Sequence, residues 1–121
     1  MNVQGVIRPG LEYRFERVVD DRLVTTHVGG KGIFATPAMI GLMEGASHKA
    51  VEELLPEGQT TVGYEVHVRH LAPAAPGSTV EVISRLTEVK GNKLYFDVSC
   101  LQEGKLLGAG THKRAIVPAN F

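Results

Sequence analysis

The amino-acid sequence predicts an α+β protein in which an antiparallel sheet is laid against one amphipathic helix. Three observations carry that expectation. Between Thr36 and Leu54 apolar side chains recur near helical spacing, with a good start before them and a good stop after. Beyond Gly58 the chain alternates between apolar and polar positions and is broken only by short turns. With 121 residues there is enough chain for one core and not for two, so residues 1–121 are expected to form a single domain.

The elements follow in order. Residues 12–18 read as a strand and 23–27 as a short β-like stretch, before Gly29-Gly30-Lys31-Gly32 interrupts regular structure. Thr36 is expected to cap the helix and Pro37 to take its first position. Met39, Ile40, Met43, Ala46, Ala50 and Leu54 form the apolar stripe, Lys49, Glu52 and Glu53 lie opposite, and Pro56-Glu57-Gly58 ends the element. Gly41 and Gly45 each cost about 1 kcal/mol against alanine, which a close backbone approach to another element would rationalise. Four strands come next, at residues 60–71, 79–89, 94–101 and 105–117. In the first, Val62, Tyr64, Val66, Val68 and His70 are expected on one face; in the third, Leu94, Phe96, Val98 and Cys100. The turns at Lys90-Gly91-Asn92-Lys93 and Glu103-Gly104 suit antiparallel hairpins. Such a sheet has two edges, and pairing one with a second copy protects it, which favours a dimer.

Thirteen basic residues balance thirteen acidic ones, so charge gives no support for a nucleic-acid or membrane-surface partner. A lone cysteine, Cys100, cannot form an internal disulfide, and no paired cysteines suggest zinc. No signal-like or spanning apolar run is present, so a cytoplasmic location is expected.

Three polar residues are candidates for chemistry. His70, inward by strand alternation, reads either as a base titrating near neutrality or as a core histidine satisfied by one hydrogen bond. Glu44 borders the apolar stripe, where a carboxylate needs a partner; it reads either as a solvated helix residue or as a partner of His70 or of a water. Thr36 reads as a helix cap, or as a hydroxyl beside first-turn amides able to stabilise an oxyanion. Eight residues of helix rise about 12 Å, so Thr36 and Glu44 cannot both touch His70 if the helix is regular. Either its entry is irregular, or the groups act at separate points. Glu44 and His48 lack a third ligand, so no metal site is expected. Cys100 reads as core, and His112 and Arg114 share a face of the last strand.

The run Ile33-Phe34-Ala35-Thr36-Pro37-Ala38-Met39-Ile40-Gly41-Leu42-Met43-Glu44 resembles the fluoroacetyl-CoA thioesterase family of hot-dog proteins. So does the run from Thr61 to His70, followed by the Pro76-Gly77 turn. The resemblance implies a hot-dog fold, a curled antiparallel sheet around a central helix. It also implies an acyl-CoA substrate, with coenzyme A part of that substrate and no separate cofactor, and a homodimer or dimer of dimers with sites at the subunit interface. Its catalytic threonine, glutamate and histidine fall on Thr36, Glu44 and His70. The resemblance makes His70 the base, Glu44 its partner or a nucleophile, and Thr36 a polarising hydroxyl. A glycine and an arginine at the acyl group correspond to Gly63 and Arg114. The family's phenylalanine-bearing lid is replaced here by His27-Val28-Gly29-Gly30, which implies a different or broader acyl preference. A non-catalytic acyl-CoA-binding module is the alternative. A hydratase of the same fold would need a longer helix signature that is absent.

Overall fold

The computed structural model describes residues 6–27 and 29–120. Among these residues seven strands and one long helix follow in the order β1 (Glu12–Val18), β2 (Val24–Thr25), β3 (Ile33–Phe34), α1 (Thr36–Glu52), β4 (Gln59–His70), β5 (Thr79–Lys90), β6 (Lys93–Gln102) and β7 (Lys105–Pro118); all but β3, a two-residue strand, were expected. Five of the strands make one antiparallel sheet in the order β1-β5-β6-β7-β4, and β2 pairs with β3 in a separate ribbon. The sheet leaves β1 and β4 each with one unpaired edge. One helix lying on one antiparallel sheet is the α+β arrangement that the alternation and the helical stripe predict, and it agrees with the hot-dog fold that the resemblance implies. No helix among the described residues is long and apolar enough to cross a membrane.

The core sits between helix and sheet. Met39, Met43, Ala46 and Val51 of α1 are buried against Val80, Val82 and Leu86 of β5 and Leu94, Phe96, Val98 and Cys100 of β6. The expected inward face of β6 is thus the observed one. On the helix the stripe turns slightly: Val51 is fully buried where Ala50 and Leu54 are only half so. Ser47 lies in the same stripe without leaving a polar group stranded. Its hydroxyl donates to the Met43 carbonyl at 2.9 Å and meets the Ser84 hydroxyl of β5 at 2.8 Å. That contact fixes the helix against the centre of the sheet.

Two local expectations are corrected. Thr36 is not the cap: Ala35 holds the cap position, with no side-chain hydrogen bond, and Thr36 is the first helical residue. Gly41 and Gly45 allow no close approach, since no atom of another element lies within 4 Å of a Cβ built at either.

A third correction positions the site. Strand alternation alone puts Val62 and Tyr64 on the inward face with His70. Instead β4 carries a bulge between Gly63 and Glu65, and Tyr64 is the extra residue. Before the bulge Thr61 and Gly63 face the helix; after it Val66, Val68 and His70 do. Tyr64 points outward and is 47% exposed, with the Lys93 ammonium 4.8 Å from its ring centre. The inward direction inferred for His70 holds, because His70 lies on the far side of the bulge.

Candidate active site

The start of α1 and the end of β4 meet at a cleft of about 240 Å³ lined by Ile33, Thr36, His70, Leu71, Ala72 and Pro73. Because Thr36 is inside the helix rather than capping it, its hydroxyl is free to turn outward, and it lies 2.8 Å from Nδ1 of His70. The buried Phe34 ring stands edge-on to the imidazole at a centroid distance of 6.1 Å and fixes its plane. Nε2 of His70 is shielded from solvent and has no hydrogen-bond partner among the described residues. A hydroxyl and an imidazole in contact at a helix N-terminus can move a proton beside a carbonyl whose developing negative charge faces first-turn amides.

Glu44 occupies a second point. The helix is regular from Thr36 onward, so Glu44 lies two turns in and has no hydrogen bond to His70. It faces Gly63 instead: a Cβ built on Gly63 would fall 3.2 Å from Oε2 of Glu44, 3.2 Å from Nη1 of Arg114 and 2.8 Å from Cε1 of His112. The glycine is therefore a gap into which three polar side chains converge. Of the two geometries open at the sequence level, the separate-points arrangement is the one adopted.

Arg114 is 7% exposed and His112 1%, and both face this gap from β7. Burial draws the Arg114 guanidinium below its ordinary pKa, and the Glu44 carboxylate opposes that shift. Burial likewise lowers the pKa of His112. Its hydrogen bond to the Glu65 backbone and the Glu44 charge oppose the shift, while the Arg114 charge adds to it. Cys100 is fully buried in the core, and burial pushes its thiol up to about 11, so it is no nucleophile. No group of three His, Cys, Asp or Glu among the described residues could hold a metal ion.

A larger depression of about 630 Å³ lies elsewhere, lined in part by Glu16, Glu81 and Glu103. It holds no hydroxyl–imidazole pair, and its carboxylates repel phosphates.

Residues 18–120 match the model of the family described as fluoroacetyl-CoA-specific thioesterase. The chain belongs to this family. The fluoroacetyl-CoA thioesterase of Streptantibioticus cattleyicolor is 39% identical over 85 residues, covering 70% of this chain and 61% of that protein, so the match spans less than two thirds of the relative's length. A solved structure of fluoroacetyl-CoA thioesterase superposes with a TM-score of 0.87 at 31% identity, covering 94% of this chain and 90% of the other. A hot-dog-like protein from Thermanaerovibrio acidaminovorans aligns over 99% of this chain and 90% of its own with a TM-score of 0.90, and at 22% identity it speaks for the fold alone.

Within this fluoroacetyl-CoA-specific thioesterase family chain, all five residues singled out from sequence lie on the helix-facing side of β4 and β7 or on α1. Thr36 and His70 form one cluster; Glu44, Gly63 and Arg114 form the other. Sequence reasoning did not reach two buried polar residues of the second cluster, Thr61 and His112. Thr61 was hidden by the bulge, which reverses the parity of its strand segment. His112 had a signal, its shared face with Arg114, but no means of showing that this face was the buried one. Val28, in the run His27-Val28-Gly29-Gly30 expected to replace a lid, lies outside the described residues.

Proposed function

We propose that this protein hydrolyses a short-chain acyl-CoA thioester and does so as a homodimer in the cytoplasm. The observation that carries the reading is the 2.8 Å contact between the Thr36 hydroxyl and Nδ1 of His70 at a cleft beside a helix N-terminus that no side chain caps. The activity in the names of the family and its relatives supports the reaction class.

In this reading the thioester carbonyl sits at the start of α1. His70 takes the proton of the attacking water at Nδ1 by way of the Thr36 hydroxyl, which also orients the imidazole. Uncapped first-turn amides stabilise the oxyanion. The C–S bond then breaks, the thiolate of coenzyme A takes up a proton, and the acyl group leaves as a carboxylic acid. In the proposed dimer, Glu44 and Arg114 of one copy flank the acyl group of a thioester held at the Thr36–His70 pair of the other, and Gly63 supplies the space it occupies. Coenzyme A is part of the substrate, and no further cofactor is needed. Pairing the free edge of β4, the strand of His70, with a second copy would bring two such sites together at one interface. Glycines in place of the aromatic lid favour acyl groups other than fluoroacetyl, or a broader set.

Incubation with a panel of acyl-CoAs and a colorimetric thiol reagent tests the reading. Release of free coenzyme A from short acyl chains is expected. Tight binding without release would replace hydrolysis by an acyl-CoA-binding role. Light scattering of the purified protein should give twice the 13.1 kDa chain mass, or four times it; a monomer would remove the dimer.

A further inference from the structure

Thr61 takes up one whole side of the Arg114 guanidinium. Nε of Arg114 donates to the Thr61 hydroxyl oxygen at 2.9 Å, and Nη2 donates to the Thr61 carbonyl, also at 2.9 Å. At the other end Nη1 donates to Nε2 of His112 at 3.2 Å. A guanidinium can only donate, so each of its direct partners accepts. His112 accepts on Nε2 and therefore carries its proton on Nδ1, which goes to the Glu65 carbonyl at 2.8 Å. The Thr61 hydroxyl, which accepts from Arg114, also hydrogen-bonds Nδ1 of His48, 3.2 Å away. Nε2 of His48 faces Oε1 of Glu52 at 3.5 Å.

This chain of contacts joins β7 to α1 through one hydroxyl. His48 is one helical turn beyond Glu44, so the joint holds the very turn that carries Glu44. The three groups that hold Arg114 are neutral, and no carboxylate among the described residues reaches ion-pair distance of it. Its charge is thus held in place without being cancelled.

We infer that Thr61 is a positioning residue for the thioesterase site: it sets the separation between the Glu44 carboxylate and the Arg114 guanidinium. The inference rests on the reading above that these two groups flank the acyl chain.

Two variants and one spectrum test it. Thr61→Val keeps the shape and deletes the hydroxyl; Thr61→Ser restores the hydroxyl. On the best short acyl-CoA, kcat/KM should fall about tenfold in Thr61→Val, the effect of about one lost hydrogen bond to a charged group, and stay within about twofold in Thr61→Ser. In an Arg114→Lys background Thr61→Val should add almost nothing, because its effect passes through Arg114. The Nε–H proton signal of Arg114 should exchange slowly with water in the wild type and in Thr61→Ser, and shift in Thr61→Val. Wild-type kinetics in Thr61→Val, or an equal loss in both backgrounds, would overturn the inference. So would a rapidly exchanging Nε–H in the unmodified protein, a result that needs no variant to fold. Thr61→Ala takes the place of Thr61→Val in the same comparison if the valine variant does not fold. If the wild type releases no coenzyme A from any thioester, the proposed function fails, and the Nε–H signal still reports whether Thr61 holds Arg114.

Discussion

The Thr36 hydroxyl and Nδ1 of His70 lie 2.8 Å apart although 34 positions separate them in the chain. One belongs to the first turn of α1 and the other to the last residue of β4, so the contact exists only when helix and sheet are docked. His70→Ala should therefore lower kcat/KM by at least about 100-fold, the range expected for removing a general base. The fold should survive, since the imidazole is only half buried. Full hydrolysis by this variant would remove His70 from the mechanism.

The same contact separates two substitutions of Thr36. Thr36→Ser retains the hydroxyl and should keep activity within a few-fold, whereas Thr36→Val should lose about tenfold or more, chiefly in kcat. Neither should change the helix, because the cap position is held by Ala35. Similar kcat values for the two variants would remove the hydroxyl from the mechanism.

Gly63→Ala tests the gap within the second cluster. A Cβ there lands 2.8 Å from the buried His112 ring, closer than real contacts allow. Displacing that ring, held by hydrogen bonds at both nitrogens, should cost roughly 1–3 kcal/mol and lower Tm by roughly 5 °C or more. Activity should fall along with it, as Arg114 and Glu44 are pushed from the gap. An alanine variant with unchanged Tm and kcat would mean that the neighbours yield freely.

His112 should make stability depend on pH. Burial lowers its pKa from 6.5, so below that value the unfolded chain binds a proton that the folded one resists. Its contribution is then complete above about pH 6.5 and is lost as pH falls from there toward the lower folded value. Thermal melts from pH 7.5 to 5 should show a steeper decline for the wild type than for His112→Gln, whose amide oxygen can still accept from Arg114. Parallel declines would show that His112 titrates alike in both states.

Cys100 should be silent in the native protein. Its thiol is fully buried and pushed up to about 11. A thiol reagent should find no reactive group before denaturation and one per chain after it. A native thiol that reacts at once would place Cys100 outside the core, and would add a background to the coenzyme A release assay.

The helix and the long strands were legible in the sequence because most of each follows one period, whereas the two residues of β3 are too few to show one. The inward face of β6, Leu94 to Cys100, alternates without interruption, and its bounds differ from expectation by one residue at each end. Of the candidate site, the contact between Thr36 and His70 and the separate place of Glu44 depend on helix regularity, which residue types alone do not settle. The bulge was not legible: a valine and a tyrosine at Val62 and Tyr64 look like an inward pair, and only the hydrogen-bond register with β7 shows otherwise. Thr61 was missed for that reason, and His112 because polar residues on a strand ordinarily face water.

Gly63 and His70 are seven positions apart, an odd interval that in an unbroken strand would send them to opposite sides. They share a side because one residue is looped out between them. What descendants of this chain must inherit here is consequently a length as well as a set of residue types. The tyrosine at position 64, nearly half exposed, is free to be replaced by other side chains. Losing the position altogether would straighten the strand and turn either Gly63 or His70 away from the helix, without altering any residue of the candidate site.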